Sequence, residues 1–191
     1  MKARESGMPD EAYWHTFFDA VCAVNLLLGK DGCQGDLVEF GCGYGTFTLP
    51  AARVTSGTET ALDIEAALVD QLRAKADAQG MHNIRPTLRD FVTEGTGLAP
   101  ASQTQAMVYN LLHLEEPVAL LQEAGRVLQP GGRLSVIHWR RDIPTPRGPS
   151  LAIRPTPEQC KAWMMAAGFG NIQDVALTAC CPYHFGLVAR K

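Results

Sequence analysis

Apolar positions follow two different periods along the chain, and the switches between them mark out its elements. Over residues 8–28, Trp14, Phe17, Phe18, Val21, Val24 and Leu28 recur three and four residues apart, which places them on one face of a helix. Pro9 suits a first helical position, Asp10 and Glu11 suit the positive end of the dipole, and Gly29 and Gly32 stop the run. The spacing therefore predicts one helix over residues 8–28. Short apolar runs at 36–40, 58–64, 83–91, 105–112 and 133–139 predict strands, the third weakened by Pro86. Helical spacing returns at 46–54, with Pro50 a local violation near its start, at 65–79 and at 117–128. Residues 93–102 read as a Gly- and Pro-bearing loop, and 140–155 as a loop rich in proline and arginine. Thr156-Pro157-Glu158-Gln159 has the form of a capping box, opening a helix that Gly168 ends. Two closing strands, 172–179 and 183–190, are separated only by a Cys-Cys-Pro turn and should pair antiparallel.

Strand and helix alternate from residue 36 onward, which implies an α/β fold with a mainly parallel sheet covered on both faces. Right-handed crossovers bring the loops at the strands' carboxyl ends to one edge, and ligands bind there where strand order reverses. A length of 191 residues suits one domain. It divides into a helical cap over 1–35, a core over 36–139, a loop over 140–155 and a closing helix and hairpin over 156–191. Apolar residues make up 46% and charged residues 19%, as in a water-soluble globule. The net charge of −3 gives a polyanion no general attraction, so nucleic acid is not an expected partner. No apolar run is long enough to cross a bilayer, so no membrane association is expected. Lys2 and Arg4 lead into acidic and aromatic residues rather than a targeting segment, which points to the cytoplasm; a monomer or homodimer is expected. The six cysteines include no CxxC pair and are read as small buried residues rather than a disulfide framework. Cys180, Cys181 and His184 could together bind a soft metal, but no metal is expected.

The stretch VEFGCGYGTF, residues 38–47, places Gly41, Gly43 and Gly45 directly after the first predicted strand. A turn without side chains lets a ligand approach the backbone and opens the amino end of the next helix. Asp63 closes the second strand about 20 residues on, where a carboxylate can accept from both hydroxyls of a ribose. Two adenosine cofactors fit this pattern, a nicotinamide dinucleotide and S-adenosylmethionine. Thr46 occupies the position where the dinucleotide fingerprint needs its third glycine. Glu39 stands at an apolar strand end, where an unpaired dry carboxylate costs several kcal/mol, so a cationic group such as an α-ammonium is its natural partner.

At these residues the chain resembles the class I S-adenosylmethionine-dependent methyltransferases. LVEFGCGYGTF looks like their glycine motif, ALDIE like their ribose-binding strand end, and LRDFV like the motif whose acid sits beside the adenine. YNLLHLEEP and LLQEAGRVLQPGGRLSVIHW resemble their fourth strand, following helix and fifth strand. The resemblance implies a Rossmann-like, doubly wound, seven-stranded, mostly parallel sheet with an antiparallel carboxyl-terminal hairpin and an amino-terminal helical extension. It implies S-adenosylmethionine held by the turn from Phe40 through Gly41, Cys42, Gly43 and Tyr44 to Gly45. Glu39 is expected on the amino group, Asp63 on the ribose and Ile64 on the adenine face. Asp90 is expected on the adenine amino group beside Phe91, with Asn110 and Leu111 near the sulfur. Asn110-Leu111-Leu112-His113 lacks the Pro-Pro-aromatic signature of amino-group methylation on nucleic acids, which leaves a small-molecule acceptor.

On the acceptor side, His113 and His138 lie at strand ends on the ligand edge, and either could serve as a general base. Tyr13 and Trp14 on the amino-terminal helix and Trp139 at the fifth strand's end are expected to contact the acceptor. Arg147, in a Pro-flanked turn, would pair with an anionic group on it. Two alternatives remain at this point, an NAD(P)-dependent oxidoreductase and a non-catalytic module that binds S-adenosylmethionine.

Overall fold

The computed structural model describes residues 8–191. Lys2, Arg4 and the start of the cap lie outside the described residues. Strands β1 (Leu37–Phe40), β2 (Glu59–Asp63), β3 (Ile84–Leu88), β4 (Gln103–Tyr109), β5 (Leu128–Trp139), β6 (Gly170–Val175) and β7 (His184–Arg190) form one sheet. Their spatial order is β3-β2-β1-β4-β5-β7-β6. β1 lies parallel to β2 and β4, and β2–β3 and β4–β5 are also parallel. β7 runs antiparallel to both β5 and β6. The mostly parallel sheet with a reversed hairpin is thus the one expected. The chain builds outward from β1 to β3 on one side, then crosses to β4 on the other. The strand order reverses between β1 and β4, and the crevice that opens there at the carboxyl ends is the natural ligand position.

The helices are α1 (Glu11–His15), α2 (Ala20–Leu28), α3 (Thr48–Ala52), α4 (Ala66–Ala78), α5 (Phe91–Glu94), α6 (Pro117–Val127) and α7 (Pro157–Ala166). One sheet face carries Val38, Phe40, Leu62, Val108 and Val136 against Leu120 and Leu121 of α6 and Met164 of α7. The other carries Leu37, Met107 and Ile137 against Val24 and Leu27 of α2 and Ala51 of α3. Every residue of β1 and β2 is buried, because helices cover both faces. Each large apolar side chain so buried contributes about 1.5–3 kcal/mol.

Several local expectations are revised. The single helix over residues 8–28 is two helices. Asp19 caps α2 by accepting from the Cys22 N–H at 3.0 Å, and Asp10 caps α1 in the same manner. Aspartate competes for backbone donors and favours a cap over a helix interior, so Asp19 starts a new helix. Pro50 is the third residue of α3, inside the first turn, where its missing N–H has no partner to lose. Pro86 is tolerated because β3 is an edge strand. The third strand ends at Leu88, and Phe91 instead opens α5, capped by Asp90. The capping box at Thr156 forms with both of its hydrogen bonds.

The cysteines are revised as well. Cys22 of α2 and Cys180, in the connection between β6 and β7, form a disulfide across 158 residues of sequence. Beside it the Asp19 N–H donates to the Cys180 carbonyl at 2.7 Å. Cys180 is therefore not a metal ligand beside Cys181 and His184. Among the described residues no group of three or more His, Cys, Asp or Glu is arranged to hold a metal ion. The long closed loop predicts that Cys22→Ser lowers stability by about 2–4 kcal/mol. Denaturant unfolding of the oxidised protein should show the drop. Midpoints that coincide for variant and wild type would contradict the crosslink.

Candidate active site

The turn after β1 holds its shape through backbone contacts. Gly43, at φ 51°, donates its N–H to Asp63 Oδ2 at 2.8 Å, which ties the turn to the end of β2. A side chain at Gly45 would come within 2.5 Å of Leu72 Cδ1, so the missing side chain makes room for α4.

Three neighbouring strand ends each bring one carboxylate to the crevice. Glu39, in β1, is 2% exposed, and the Thr48 hydroxyl at the start of α3 donates to its Oε2. Burial, above all, holds the Glu39 carboxyl well above the ordinary carboxylate range; the Thr48 bond pulls it down and the Asp63 charge pushes it up. Asp63, at the end of β2, is raised by burial, while N–H groups including those of Glu65 and Gly43 pull it back. Its Oδ1 accepts from Glu65 N at 3.0 Å. Asp90, just beyond β3, caps α5 through Oδ1, which accepts from Val92 N and Thr93 N at 3.2 Å each.

Asn110 follows β4 in a left-handed conformation, φ 58°, and donates its N–H to Ile137 O at 2.7 Å. Its side-chain Oδ1 is buried without a hydrogen-bond partner among the described residues, although Asn110 lines the cleft. A buried acceptor left unmatched costs about 1–3 kcal/mol, so a ligand donor is the fitting counterpart.

The cleft opens to solvent, and about 990 Å³ of empty space lies in and above it, open solvent included. Met8 and Trp14 line it from the amino-terminal segment, and the Trp14 indole donates to Thr46 Oγ1 at 3.1 Å. Polar contacts hold that segment down. Tyr44 Oη donates to Pro9 O at 2.9 Å; Glu11 accepts from Gln71 at 2.7 Å and pairs with Lys75. On the acceptor side His113 lines the cleft, and its Nδ1 lies 3.3 Å from Nε2 of the buried His138.

Of the residues singled out from sequence, Glu39, Gly41, Cys42, Gly43, Asp63, Ile64, Asp90, Phe91, Asn110, Leu111, His113 and Trp14 line this one cleft. The others lie elsewhere. Phe40 points into the opposite core, its ring 5.4 Å from that of Phe91. Tyr44 is taken up by Pro9, and Gly45 by Leu72. Tyr13 is exposed, packed edge-on against Phe17 at 4.9 Å. Trp139 is buried between Phe17 and His184. His138 stands behind His113, wholly buried. Arg147 lies on the exposed loop, where its carbonyl accepts from Thr145 Oγ1 at 2.7 Å. Sequence reasoning missed Met8, Phe47, Arg89, Val92, Tyr109 and Leu114, which also line the cleft. Tyr109 closes β4 three residues before the end expected from sequence; Arg89 and Val92 flank Asp90 and Phe91. Thr48, the partner of Glu39, gave no signal beyond being a small polar residue one turn into the helix.

Comparison with known proteins follows the same outline. A family model described as a methyltransferase domain matches residues 37–132, half of the chain. A malonyl-[acyl-carrier protein] O-methyltransferase of Hahella chejuensis is 30% identical over 116 residues, which is 56% of this chain and 37% of that protein. The chain thus matches little more than a third of that relative's length. A SAM-dependent methyltransferase from Aquifex aeolicus superposes with a TM-score of 0.76 at 20% identity, covering 95% of this chain and 93% of the other. The geranyl diphosphate C-methyltransferase of Streptomyces coelicolor A3(2), solved with Mg2+, geranyl diphosphate and S-adenosyl-L-homocysteine, gives 0.69 at 16% identity, covering 96% and 83%. These two likenesses concern the fold.

Glu59, at the start of β2, is fully buried with both carboxyl oxygens unpartnered among the described residues, and burial followed by the Glu39 charge raises it well above the ordinary range. A carboxyl raised by folding stabilises the fold below its ordinary pKa, and that contribution is lost as pH rises through the raised value. Glu59→Gln removes the titration and keeps the shape. Its stability relative to wild type should rise between about pH 5 and pH 8 in urea titrations. A gap that stays constant would contradict the burial.

Proposed function

The chain belongs to the class I S-adenosylmethionine-dependent methyltransferases, and on that premise we propose that it methylates a small-molecule acceptor by in-line displacement inside the cleft between β1 and β4. One observation carries the reading: three consecutive strand ends each present a carboxylate to the same space. Their separate positions match three separate donors of the cofactor. Glu39 faces the ammonium of the methionine portion, with Gly41 and Gly43 beside its chain. Asp63 takes the ribose hydroxyls. Asp90 takes the adenine amino group, with Ile64 and Phe91 against the ring. Asn110 Oδ1, unmatched among the described residues, accepts from the same ligand near its sulfur. The cap over residues 1–35 and the core over 36–139 then act as one domain around the cofactor.

S-adenosylmethionine supplies an activated methyl on a sulfonium whose charge disappears as the methyl leaves. The protein's task is to exclude water and to fix the line of approach. Trp14, pinned by Thr46, closes the cleft from above, and a drier site favours a reaction that neutralises charge. Orientation of the two partners can supply about 7–11 kcal/mol in favourable intramolecular cases. A cleft set between strand ends and lined largely by apolar side chains suits a small acceptor better than a nucleic-acid strand, and the geranyl diphosphate relative is a precedent for one. Arg147, outside the cleft, is given no contact with the acceptor.

Asp63→Ala should weaken S-adenosylmethionine binding by about 1.5–3 kcal/mol, the range for hydrogen bonds to a charged group. Calorimetric titration measures it, and an unchanged affinity would remove Asp63 from the ribose.

A further inference from the structure

The amino-terminal cover and the glycine turn meet at one side chain that is not among those lining the cleft. Gln71 and Lys75 stand one turn apart on α4 and share a face. Both reach Glu11 of α1: Gln71 Nε2 donates to Glu11 Oε2 at 2.7 Å, and Lys75 pairs with Glu11 Oε1. Lys75 Nζ also donates to the Tyr44 carbonyl oxygen at 2.9 Å and lies 5.7 Å from the centre of the Tyr44 ring. The Tyr44 hydroxyl in turn donates to the Pro9 carbonyl, on the cover. The side chains of Lys75 and Glu11 are only 25% and 29% exposed, so solvent screens this pair less than one on open surface. Both ends of the network adjoin the cleft. Tyr44 follows Gly43, whose N–H holds Asp63. Glu11 lies between Met8 and Trp14, which line the cleft from the cover. Met8 packs on the turn itself, its sulfur 2.7 Å from where a side chain at Gly43 would begin. Phe17, buried against Trp139 and Tyr183, fixes the far end of α1, and Asp19 starts α2 as a separate helix.

Resting on the methyltransferase reading above, we propose that Lys75 is a positioning residue that couples closure of the cover to the shape of the cofactor turn. One ammonium serves an acceptor on each of them. With the cover down, Glu11 holds Lys75 beside Tyr44, and the donor at the Tyr44 carbonyl steadies the turn that brings Gly43 to Asp63. With the cover raised, Lys75 loses its anionic partner and is free to swing into solvent, so the turn loses a fixed donor. A cofactor that orders the turn therefore favours the closed cover, and the closed cover favours the cofactor by the same factor. Lys75 touches neither cofactor nor acceptor, and its effect passes through Tyr44 and Glu11. Closure sets Met8 and Trp14 over the cofactor, which slows its escape and keeps water from the methyl group.

Variants of the full chain test this with S-adenosylmethionine as the probe. Lys75→Met keeps the apolar stem and removes the charge and the donors. Cofactor dissociation, followed by stopped-flow tryptophan fluorescence, should quicken about tenfold, the size of one hydrogen bond to a charged group. Glu11→Gln should quicken it in the same way, and the double variant should be little faster than either single one, because both act through one contact. Lys75→Arg, which keeps charge and donors, should return most of the loss. Arg73→Met, on the same helix but paired with Asp70, should change nothing. Amide hydrogen exchange adds a readout that a weakened α4 does not imitate. In the wild type the cofactor should slow exchange both at residues 12–14 of the cover and at Gly43 and Gly45 of the turn. In Lys75→Met the slowing should persist at the turn and vanish at 12–14. Slowing at 12–14 that survives in Lys75→Met, dissociation unchanged in either single variant, or single effects that simply add in the double overturns the proposal; Glu11→Gln decides alone if Lys75→Met does not fold. Calorimetry separates the two failures: a wild type that does not bind S-adenosylmethionine sinks the cofactor reading and this proposal with it, whereas firm binding with any of those results overturns this proposal only.

Discussion

Glu39 ends β1 as a carboxyl with almost no access to water, held by the single hydroxyl of Thr48. Burying an ionised carboxylate costs several kcal/mol unless a partner compensates, so this group sits protonated or waits for a cation. The surrounding structure answers that constraint. The glycine turn lets backbone, rather than side chains, surround the site. The short helix α3 begins just beyond the turn, so Thr48 reaches back to Glu39. Asp63 and Asp90 on the next two strand ends extend the same demand for donors across the crevice. A cationic, donor-rich ligand fits where a pyrophosphate would meet repulsion from three acids.

The amino-terminal segment completes the site without belonging to the sheet. Among the described residues its polar contacts are Tyr44 to Pro9, Gln71 and Lys75 to Glu11, and Trp14 to Thr46, beside the packing of Trp14 and Phe17 on Trp139. Such contacts are individually modest, whereas the disulfide from α2 to Cys180 and the burial of Leu27 and Leu28 fasten the next turn of chain firmly. The segment is thus anchored through α2, and its Met8 and Trp14 line the cleft. That arrangement suits a cover that must admit a ligand and exclude water.

The framework was open to sequence reasoning because burial on both faces leaves continuous apolar runs, and glycine, capping and proline signals mark their ends. The capping box at Thr156 and the acids at Glu39, Asp63 and Asp90 were legible for the same reason: their chemistry is unusual at those positions. What escaped depends on distance in space. Asp19 looked like one polar residue in an apolar helix, yet it starts a new one. Cys22 and Cys180 carry no spacing signal across 158 residues. Trp139 and His138 stood at a strand end on the ligand edge, but Trp139 is packed against Phe17 and His184, and His138 stands behind His113. Arg147 lies on an exposed loop and is not among the residues that line the cleft.

The central claim is that a buried carboxyl at the tip of β1 meets the cofactor's ammonium. Pairing with a cation favours the ionised form, so a Glu39 that is protonated in the free protein must give up its proton on binding. Calorimetric titration of S-adenosylmethionine at about pH 6.5, where an α-ammonium stays charged, in buffers of different ionisation enthalpy reads that proton directly. The account predicts release approaching one proton in the wild type and none in Glu39→Gln. Equal proton exchange in the two proteins would contradict it.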